Sequence, residues 1–339
     1  IKGLLKNKEV KGKHIITSKI EHKSVLNIFK DLEASGYSVT YLNVDENGVI
    51  DYNQLEHSIT DDTALVSIML ANNETGVIQD IQSISQLIKG KGICFHTDAI
   101  QGLGKLDIDV KALGIDLLTL SAHKFHGPKG VGFLYVKSRN LLKPLIHGGS
   151  QERELRAGTE SVHNIVGLQK AMELAYANLK EDAEYIKALK NHFINSIKRE
   201  IPGVRFNGLS ADLDKSTYTL VNVSIPLSSS ESDMMLFQLD LKGIACSKGS
   251  ACQSGAQLGS FVLNEVYGEK LDYPGIRFSF SKFTTKEELD FVQEQVAEAK
   301  KRFEEAQKRL ANFKDSNLNI ATAKAETRMQ ELQSQYDLA

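Results

Sequence analysis

The stretch Asp116-Leu-Leu-Thr-Leu-Ser-Ala-His-Lys-Phe-His-Gly-Pro-Lys-Gly130 joins an apolar run to a turn rich in histidine, glycine and proline. The apolar half predicts a buried strand, and the turn begins where that strand ends. Lys124 is therefore expected at the carboxyl edge of a sheet, where open α/β proteins bind their ligands. We expect burial there to desolvate its amine and make it a Schiff-base nucleophile, although an isolated lysine in such a turn is usually a surface residue.

The first half of the chain alternates strand patterns with helix patterns. Short apolar runs are followed by segments in which apolar residues recur at helical spacing. This alternation predicts an α/β fold with a mostly parallel sheet that is covered by helices. Strands are predicted at 14–17 and 38–42. Four further strands are predicted to be buried on both faces, at 64–70, 93–97, 117–120 and 131–136. Helices are predicted at 21–34, 52–59 and 79–89.

The pattern divides the chain into four parts. Residues 1–163 are predicted to form a large domain around the parallel sheet, and the charged, helically spaced residues 164–201 predict connecting helices. Residues 202–305 mix strand and helix patterns and predict a smaller α+β domain. Residues 306–339 have few large apolar side chains, which predicts a polar tail that is either an extended helix or disordered. In the smaller domain, strands are predicted at 218–225 and 276–280, and helices at 231–241 and from 285 onward.

The composition excludes several classes of protein. The 339 residues include 41 Lys+Arg and 43 Asp+Glu, a formal net charge of −2, so no overall positive field would attract nucleic acid or an anionic membrane. The longest apolar runs are far shorter than a membrane span, and the start of the chain has no signal-peptide pattern. We therefore expect a cytoplasmic protein with no nucleic-acid partner, no membrane partner and no metal site.

The cysteines separate into a core residue and a candidate nucleophile. The chain has 3 cysteines, too few for a disulfide framework, which fits a reducing compartment. Cys94 lies in an apolar strand pattern and is predicted to belong to the core. Cys252 lies in Cys246-Ser-Lys-Gly-Ser-Ala-Cys-Gln-Ser-Gly255, a run of small residues that predicts an exposed loop. Exposure and mobility are what a nucleophilic thiol needs, so Cys252 is the candidate.

Further polar groups follow the other predicted strands. Asp98 ends one strand and Gln101 follows it, so a carboxylate and an amide could project into the crevice beside Lys124. A carboxylate there could hold a heterocyclic nitrogen in its protonated form, although a lone aspartate at a strand end usually caps the next helix. His22 lies between a strand and a helix, where its imidazole could stack on a planar ring, transfer a proton, or be a plain surface histidine. With Asn72-Asn-Glu-Thr-Gly76 after a further strand, these groups predict one site at one sheet edge.

Several short motifs stand in a fixed order along the chain: Ile20-Glu-His-Lys23, Asn72-Asn-Glu-Thr-Gly76, His96-Thr-Asp-Ala-Ile-Gln101, Ser121-Ala-His-Lys124, Arg156-Ala-Gly-Thr159, Gly249-Ser-Ala-Cys252 and Arg277-Phe-Ser-Phe-Ser-Lys-Phe-Thr-Thr285. Together they closely resemble the motifs of the cysteine desulfurases, which are pyridoxal-phosphate enzymes of the class-V aminotransferase group with fold type I. The resemblance covers roughly residues 1 to 305, which is far more specific than any single motif. The loop with Cys252 is similar to that of the housekeeping subgroup, related to the nitrogen-fixation and iron–sulfur assembly enzymes.

The resemblance implies a role for each group at the predicted edge. Lys124 would bind the cofactor, pyridoxal 5'-phosphate, as a Schiff base and move the α-proton of the substrate, while Cys252 would be the thiol nucleophile. His22 would stack on the cofactor ring and take part in acid–base steps. Asp98 would pair with the ring nitrogen, and Gln101 would bond to the ring hydroxyl. The phosphate would be bound by Ser121 and His123 and, from the other subunit of a homodimer, by Thr159. The substrate would be bound by Asn73 and Arg277.

The resemblance also implies a reaction. L-Cysteine would be converted to L-alanine, and its sulfur would be held as a persulfide on Cys252 and passed to sulfur-acceptor or iron–sulfur scaffold proteins, for cluster assembly or thiolation. In the family a phosphate-binding loop precedes the position of Ile1, so the chain resembles an N-terminally truncated member and we expect it to hold phosphate weakly. Two alternatives stay open: another class-V aminotransferase or a selenocysteine lyase, and an inactive fragment that acts only as a binding partner.

Overall fold

The structure is a computed structural model that describes residues 1–249, 259–268, 271 and 273–337. The strands of its first sheet are β1 (His14–Ser18), β2 (Ser38–Leu42), β3 (Thr63–Ser67), β4 (Cys94–Asp98), β5 (Leu117–Ser121) and β6 (Gly132–Val136). They lie in the order β2-β1-β3-β4-β5-β6. The first five strands are parallel, and only β6 among the strands of this sheet runs antiparallel to its neighbour. The expected α/β fold with a mostly parallel sheet is confirmed.

The inner strands of this sheet are buried on both faces. Every position of β1, β3 and β4 is buried, as the apolar runs predict. Because successive side chains of a strand point to opposite faces, neighbouring residues belong to different apolar clusters. Both faces therefore need a cover of helices, and Cys94 is a core residue, as predicted. One cluster contains Ile15, Leu65, Cys94 and Leu117, and the other contains Ile16, Val66, Phe95 and Leu118.

The edge strand β6 departs from this pattern. Its positions are exposed or half-buried, so the prediction of a strand at 131–136 buried on both faces is wrong. The reason is its place at the outer edge of the sheet, beyond β5, where Leu134 is exposed while Phe133 and Tyr135 pack against an apolar cluster. An apolar run indicates a strand, but it does not tell an edge strand from a central one.

Four helices from the first part of the chain cover the first sheet, and all but the first of them begin at a side-chain cap. These helices are α1 (Lys2–Leu5), α2 (Lys23–Ala34), α3 (Tyr52–Ser58) and α4 (Ile81–Ile88). The side chains of His22, Asp51 and Asp80 accept hydrogen bonds from the first-turn N–H groups of α2, α3 and α4. A capping residue lies outside the helical backbone, so α2 and α4 begin at 23 and 81 rather than at the predicted 21 and 79.

A second, antiparallel sheet follows two long helices, α5 (Val162–Ala177) and α6 (Leu179–Glu200). Its strands are β7 (Arg205–Phe206), β8 (Leu220–Ser224), β9 (Ser247–Lys248) and β10 (Gly275–Ser279), in the order β7-β8-β10-β9. The second sheet has its own apolar core, formed with α6, α7 (Ser229–Leu241) and the start of α9 (Lys286–Asp337). A short helix, α8 (Phe261–Tyr267), lies between β9 and β10 in the chain. A separate core is what a second domain requires, and the boundaries at 163, 201 and 305 stay a prediction.

The last helix, α9, is 52 residues long. It begins with a capping box, in which Thr285 Oγ1 accepts from the Glu288 N–H and Glu288 Oε2 accepts from the Thr285 N–H. Leu289, Val296 and Phe303 pack on the second core, and Leu310 is exposed. Of the two forms predicted for the tail after 305, the structure has the extended helix. Among the described helices, even this one lacks the continuous apolar stretch that a bilayer crossing needs.

Lys190 on α6 is a buried amine in the second core. Its side chain has 0% exposure, and Nζ donates to Ser216 Oγ at 2.7 Å and to the Thr217 carbonyl at 2.9 Å. Burial lowers the pKa of Lys190 to about 7, although the Asp212 carboxylate acts in the opposite direction. The folded protein therefore releases this proton at a pH where the unfolded chain still binds it.

We predict that the free energy of unfolding of the unmodified chain rises, relative to that of Lys190→Met, between about pH 7 and about pH 10. In this range the unfolded chain binds the Lys190 proton and the folded chain does not, so stability increases with pH. The slope approaches about 1.4 kcal/mol per pH unit, and urea unfolding of both proteins at several pH values measures it. Parallel pH curves would contradict the prediction.

Candidate active site

The carboxyl ends of the parallel strands meet at one edge of the first sheet. There β1 leads into His22, β3 into Asn73, and β4 into Asp98 and Gln101, while β5 leads into the turn that contains Lys124. Parallel pairing of the strands forces these groups to the same edge, as the sequence predicts. The contacts of each group decide which of them can act on one ligand.

Lys124 lies on a short 3-10 helix (Ala122–Phe125) that begins directly after β5. Ala122 and Phe125, three residues apart, are buried and hold this helix against the first core. His126, with a φ of 68°, ends the helix. The intervening Lys124 points away from the core and is exposed, so the prediction that burial desolvates it is wrong. Its amine faces a cleft rather than the interior.

This cleft has a volume of about 420 Å³, within the range that binds small molecules. Both sheets contribute to its wall, because β10 and the loop after β3 meet there. Four predicted site residues line it together: Lys124, Gln101, Asn73 and Arg277. The lining does not include the other predicted cofactor residues, which are His22, Asp98, Ser121, His123 and Thr159.

Arg277 connects the second sheet to the first. It lies in the middle of β10, which pairs on both sides with neighbouring strands, so its backbone is firmly held. Its Nη1 donates to the Asn73 carbonyl at 2.6 Å, and the side chain is half-buried. A guanidinium fixed in this way at the cleft wall can bind a carboxylate with two parallel hydrogen bonds.

Asp98 is a buried carboxylate behind Lys124. It has 4% exposure, and Oδ1 accepts from the Ile100 N–H at 2.9 Å, so it does cap the following turn. Burial raises the pKa of Asp98, whereas the Ile100 bond and the charges of His22 and Lys124 lower it. A desolvated carboxylate with cations nearby is suited to hold a proton on a ring nitrogen.

His22 is the capping residue of α2. Its Nδ1 accepts from the Ser24 N–H at 3.2 Å and lies 2.8 Å from Ser24 Oγ, so the imidazole is fixed through this one nitrogen. The preceding residue, Glu21, is fully buried, and its Oε1 accepts from Ser18 Oγ and from the Met69 N–H. These bonds join the loop after β1 to the segment after β3 and fix the backbone on which His22 stands.

The predicted phosphate ligands are spread more widely. Ser121 is the half-buried last residue of β5, and His123 is exposed beside Lys124. Partial burial and the charges of Lys124 and Lys129 lower the pKa of His123, which favours a neutral imidazole. Thr159 is exposed in the loop before α5 and does not reach the cleft of its own chain.

The predicted nucleophile, Cys252, lies outside the described residues. Of the other cysteines, Cys246 packs half-buried against the second core, and burial raises the pKa of its thiol to about 11. Burial likewise raises the pKa of Cys94 to about 11. Neither thiol is suited to form a thiolate near neutral pH.

Sequence reasoning did not identify Lys105, which also lines the cleft. Its Nζ donates to Gln101 Oε1 at 2.9 Å. Burial lowers the pKa of Lys105 to about 8, with contributions from the charges of Lys124 and Arg277. The signal was present in Gln101-Gly-Leu-Gly-Lys105, because residues four apart share a face of a helical turn.

The residues at this edge have functional groups that match those of pyridoxal phosphate. The cofactor has an aldehyde for the Lys124 amine, a ring nitrogen for the Asp98 carboxylate and a ring oxygen for the Gln101 amide. The structure adds an independent observation, because Asn73 Oδ1 is buried without a hydrogen-bond partner among the described residues. A buried polar atom of this kind is costly unless a ligand or water satisfies it.

Comparison with known proteins gives consistent matches. The family model of the class-V aminotransferases matches residues 1–292. A protein named cysteine desulfurase IscS, from Clostridium botulinum, is 45% identical over 295 residues, which cover 87% of this chain and 74% of that protein. A solved structure named NifS-like protein has a TM-score of 0.78 at 35% identity and covers 88% of this chain and 77% of its own. A structure titled SspA in complex with cysteine has a TM-score of 0.66 at 36% identity, covering 83% and 79%.

These matches agree with the fold and with the order of the motifs along the chain. The family match extends over both sheets, from α1 to the start of α9. The chain therefore belongs to the class-V aminotransferase family, in the group of the cysteine desulfurases.

Proposed function

We propose that the chain is a pyridoxal-phosphate-dependent cysteine desulfurase, which converts L-cysteine to L-alanine and retains the sulfur. The observation that carries this proposal is the meeting of Lys124 and Arg277 in one cleft, with the buried carboxylate of Asp98 behind them. The relatives support the same reaction, because one is named a cysteine desulfurase and another is described in complex with cysteine.

The edge of the first sheet would hold the cofactor. Lys124 would bind its aldehyde, Asp98 would keep a proton on its ring nitrogen, and the His22 imidazole would stack on its ring. When bound, pyridoxal phosphate supplies an electron sink next to the α-carbon of an amino acid. The remaining contacts would be made by Gln101 to the ring oxygen and by Ser121, His123 and the partner subunit's Thr159 to the phosphate.

The cleft wall would orient the substrate. The Arg277 guanidinium would bind the substrate carboxylate through two N–H donors, and the amide of Asn73 would lie beside it. The Arg277–Asn73 hydrogen bond keeps the guanidinium from turning away before the substrate arrives. Lys124 Nζ would then take the α-proton and return it, which requires an amine at the cleft surface rather than in the core.

The thiol of Cys252 would receive the sulfur. Its Sγ would attack the substrate sulfur, so that a sulfur–sulfur bond forms while the carbon–sulfur bond breaks and L-alanine leaves. The high pKa of the Cys246 and Cys94 thiols makes both poor nucleophiles, which favours Cys252 for this step. We further propose that the persulfide serves sulfur-acceptor or iron–sulfur scaffold proteins in the cytoplasm.

A homodimer is part of this proposal. Helix α5 has no buried residue over its 16 residues, and Val162 and Val166 are 65% and 57% exposed. The preceding loop adds the exposed Leu145 and Ile146. An apolar surface of this kind favours a partner subunit, which would also bring in the phosphate ligand Thr159.

We predict that the chain, incubated anaerobically with pyridoxal phosphate and L-cysteine, releases alanine and gains the mass of sulfur on Cys252. Lys124→Ala should slow alanine release by about 10²–10⁴-fold, because proton transfer by Lys124 is lost. Cys252→Ala should abolish both the sulfur adduct and turnover. Alanine assays and intact mass spectrometry measure the two products.

The same experiment separates the alternatives. Full turnover of L-cysteine by Cys252→Ala would indicate another class-V aminotransferase or a selenocysteine lyase, since these need no thiol in this loop. Failure of the unmodified chain to acquire a visible absorbance band with pyridoxal phosphate would indicate a non-catalytic binding partner.

We predict that Val166→Asp weakens the homodimer by at least roughly 30-fold, because it places a charge in an apolar interface. Sedimentation velocity over a range of concentrations measures the effect. Phe237→Asp is the matched control, since Phe237 on α7 is an exposed apolar residue (58%) outside the proposed interface. Equal dissociation of both variants, or none in Val166→Asp, would contradict the proposed interface.

A further inference from the structure

Lys105 and Gln101 form a pair in the wall of the cleft. They lie four residues apart on a segment of tight turns, in which the Leu106 N–H donates to the Gly102 carbonyl at 2.8 Å. This spacing places both side chains on one face, and the Lys105 Nζ donates to Gln101 Oε1 at 2.9 Å. Lys105 has no role in the reaction as proposed above.

The contact decides which end of the Gln101 amide faces the cleft. The oxygen and nitrogen of an amide look alike in most structures, and their assignment depends on their neighbours. A lysine ammonium has three donors and no acceptor, so it can bind only the amide oxygen. With Oε1 directed to Lys105, the NH₂ group of Gln101 is left for a ligand in the cleft.

We propose that Lys105 is a positioning residue that holds the Gln101 amide with its NH₂ group directed at the cofactor's ring oxygen. The inference rests on the proposed function, since it needs pyridoxal phosphate as the ligand of Gln101. It assigns to Lys105 no direct contact with the cofactor or the substrate.

The surroundings make this hydrogen bond effective. The Lys105 amine is desolvated, and burial together with the charges of Lys124 and Arg277 lowers its pKa to about 8. Because Lys105 is half-buried, its amine has fewer water partners than a surface lysine, which strengthens its hydrogen bond to the Gln101 oxygen.

Two glycines fix the backbone that carries the pair. A Cβ at Gly102 would lie 2.3 Å from Leu70 Cδ2, and a Cβ at Gly104 would lie 3.0 Å from Phe125 Cβ. Gly104 also has a φ of 73°, which favours glycine. Because Phe125 adjoins Lys124, the turn with Gln101 and Lys105 packs directly against the turn of the cofactor lysine.

The test is a double-mutant cycle with Lys105→Met and Gln101→Ala, read as the dissociation constant of pyridoxal phosphate from the visible absorbance band. We expect Lys105→Met to weaken binding roughly tenfold, and the double variant to bind no more weakly than Gln101→Ala alone. The pH midpoint of the band should also rise, because a ring oxygen without an N–H donor holds its proton more tightly. Lys105→Arg, which keeps donors, should restore both values toward those of the unmodified chain.

Lys282→Met is the matched control. Lys282 lines the same cleft, but its Nζ donates to Asp182 Oδ2 at 3.3 Å rather than to Gln101. Removing its charge should leave the pH midpoint of the band unchanged. An equal shift in Lys282→Met would mean that the total charge of the cleft, and not the orientation of Gln101, controls the cofactor, which overturns the proposal.

Gln101→Glu provides a second route if Lys105→Met does not fold. A carboxylate keeps the Lys105 contact but has no NH₂ group, so it should bind the cofactor as weakly as Gln101→Ala. Cofactor binding by Gln101→Glu at the level of the unmodified chain overturns the inference, as do additive effects of Lys105→Met and Gln101→Ala. If the unmodified chain binds no pyridoxal phosphate, the proposed function itself fails, whereas a normal band in Lys105→Met rejects only the role of Lys105.

Discussion

Parallel pairing of β1, β3, β4 and β5 is the constraint on which the site depends. Since all four strands run the same way, their pairing is enough to bring the residues that follow them to one edge of the sheet. The buried His96 reinforces the pairing from within, because its Nδ1 lies 2.8 Å from Ser67 Oγ on β3 and its Nε2 lies 3.4 Å from Thr119 Oγ1 on β5. Burial lowers the pKa of His96 to about 3, so it joins the strands as a neutral side chain.

The charges near this edge are arranged in two layers. The cleft surface holds the amine of Lys124, which is suited to an aldehyde, and the guanidinium of Arg277, which is suited to a carboxylate. Behind them lie two buried carboxyl groups with different roles. Burial raises the pKa of Glu21 to about 8, with a contribution from Asp98, so Glu21 stays protonated near neutral pH. Burial also raises the pKa of Asp98, but there the charges of His22 and Lys124 act in the opposite direction.

Sequence patterns predicted the parts of the structure that depend on local chemistry. Strand 38–42 has its predicted bounds, and the last helix begins within one residue of the predicted 285, because turn and capping residues act within a few positions. The order of polar groups after successive strands also follows from sequence once the sheet is known to be parallel. What the sequence did not predict is the burial of individual polar side chains, which depends on neighbours distant in the chain. Thus Lys124 is exposed although it follows a buried strand, whereas Lys105, in the wall of the same cleft, is half-buried.

We propose that Lys124, and not the neighbouring Lys105, binds the cofactor. Borohydride reduction of the chain loaded with pyridoxal phosphate makes the bond between the cofactor and its lysine permanent, and peptide mass spectrometry then identifies that lysine. We expect a single modified peptide that contains Lys124, since among the described lysines that line the cleft Lys105 donates to Gln101 and Lys282 donates to Asp182, whereas Lys124 is exposed at the cleft surface. A cofactor found on Lys105, or spread over several exposed lysines, would show that Lys124 is not the cofactor lysine.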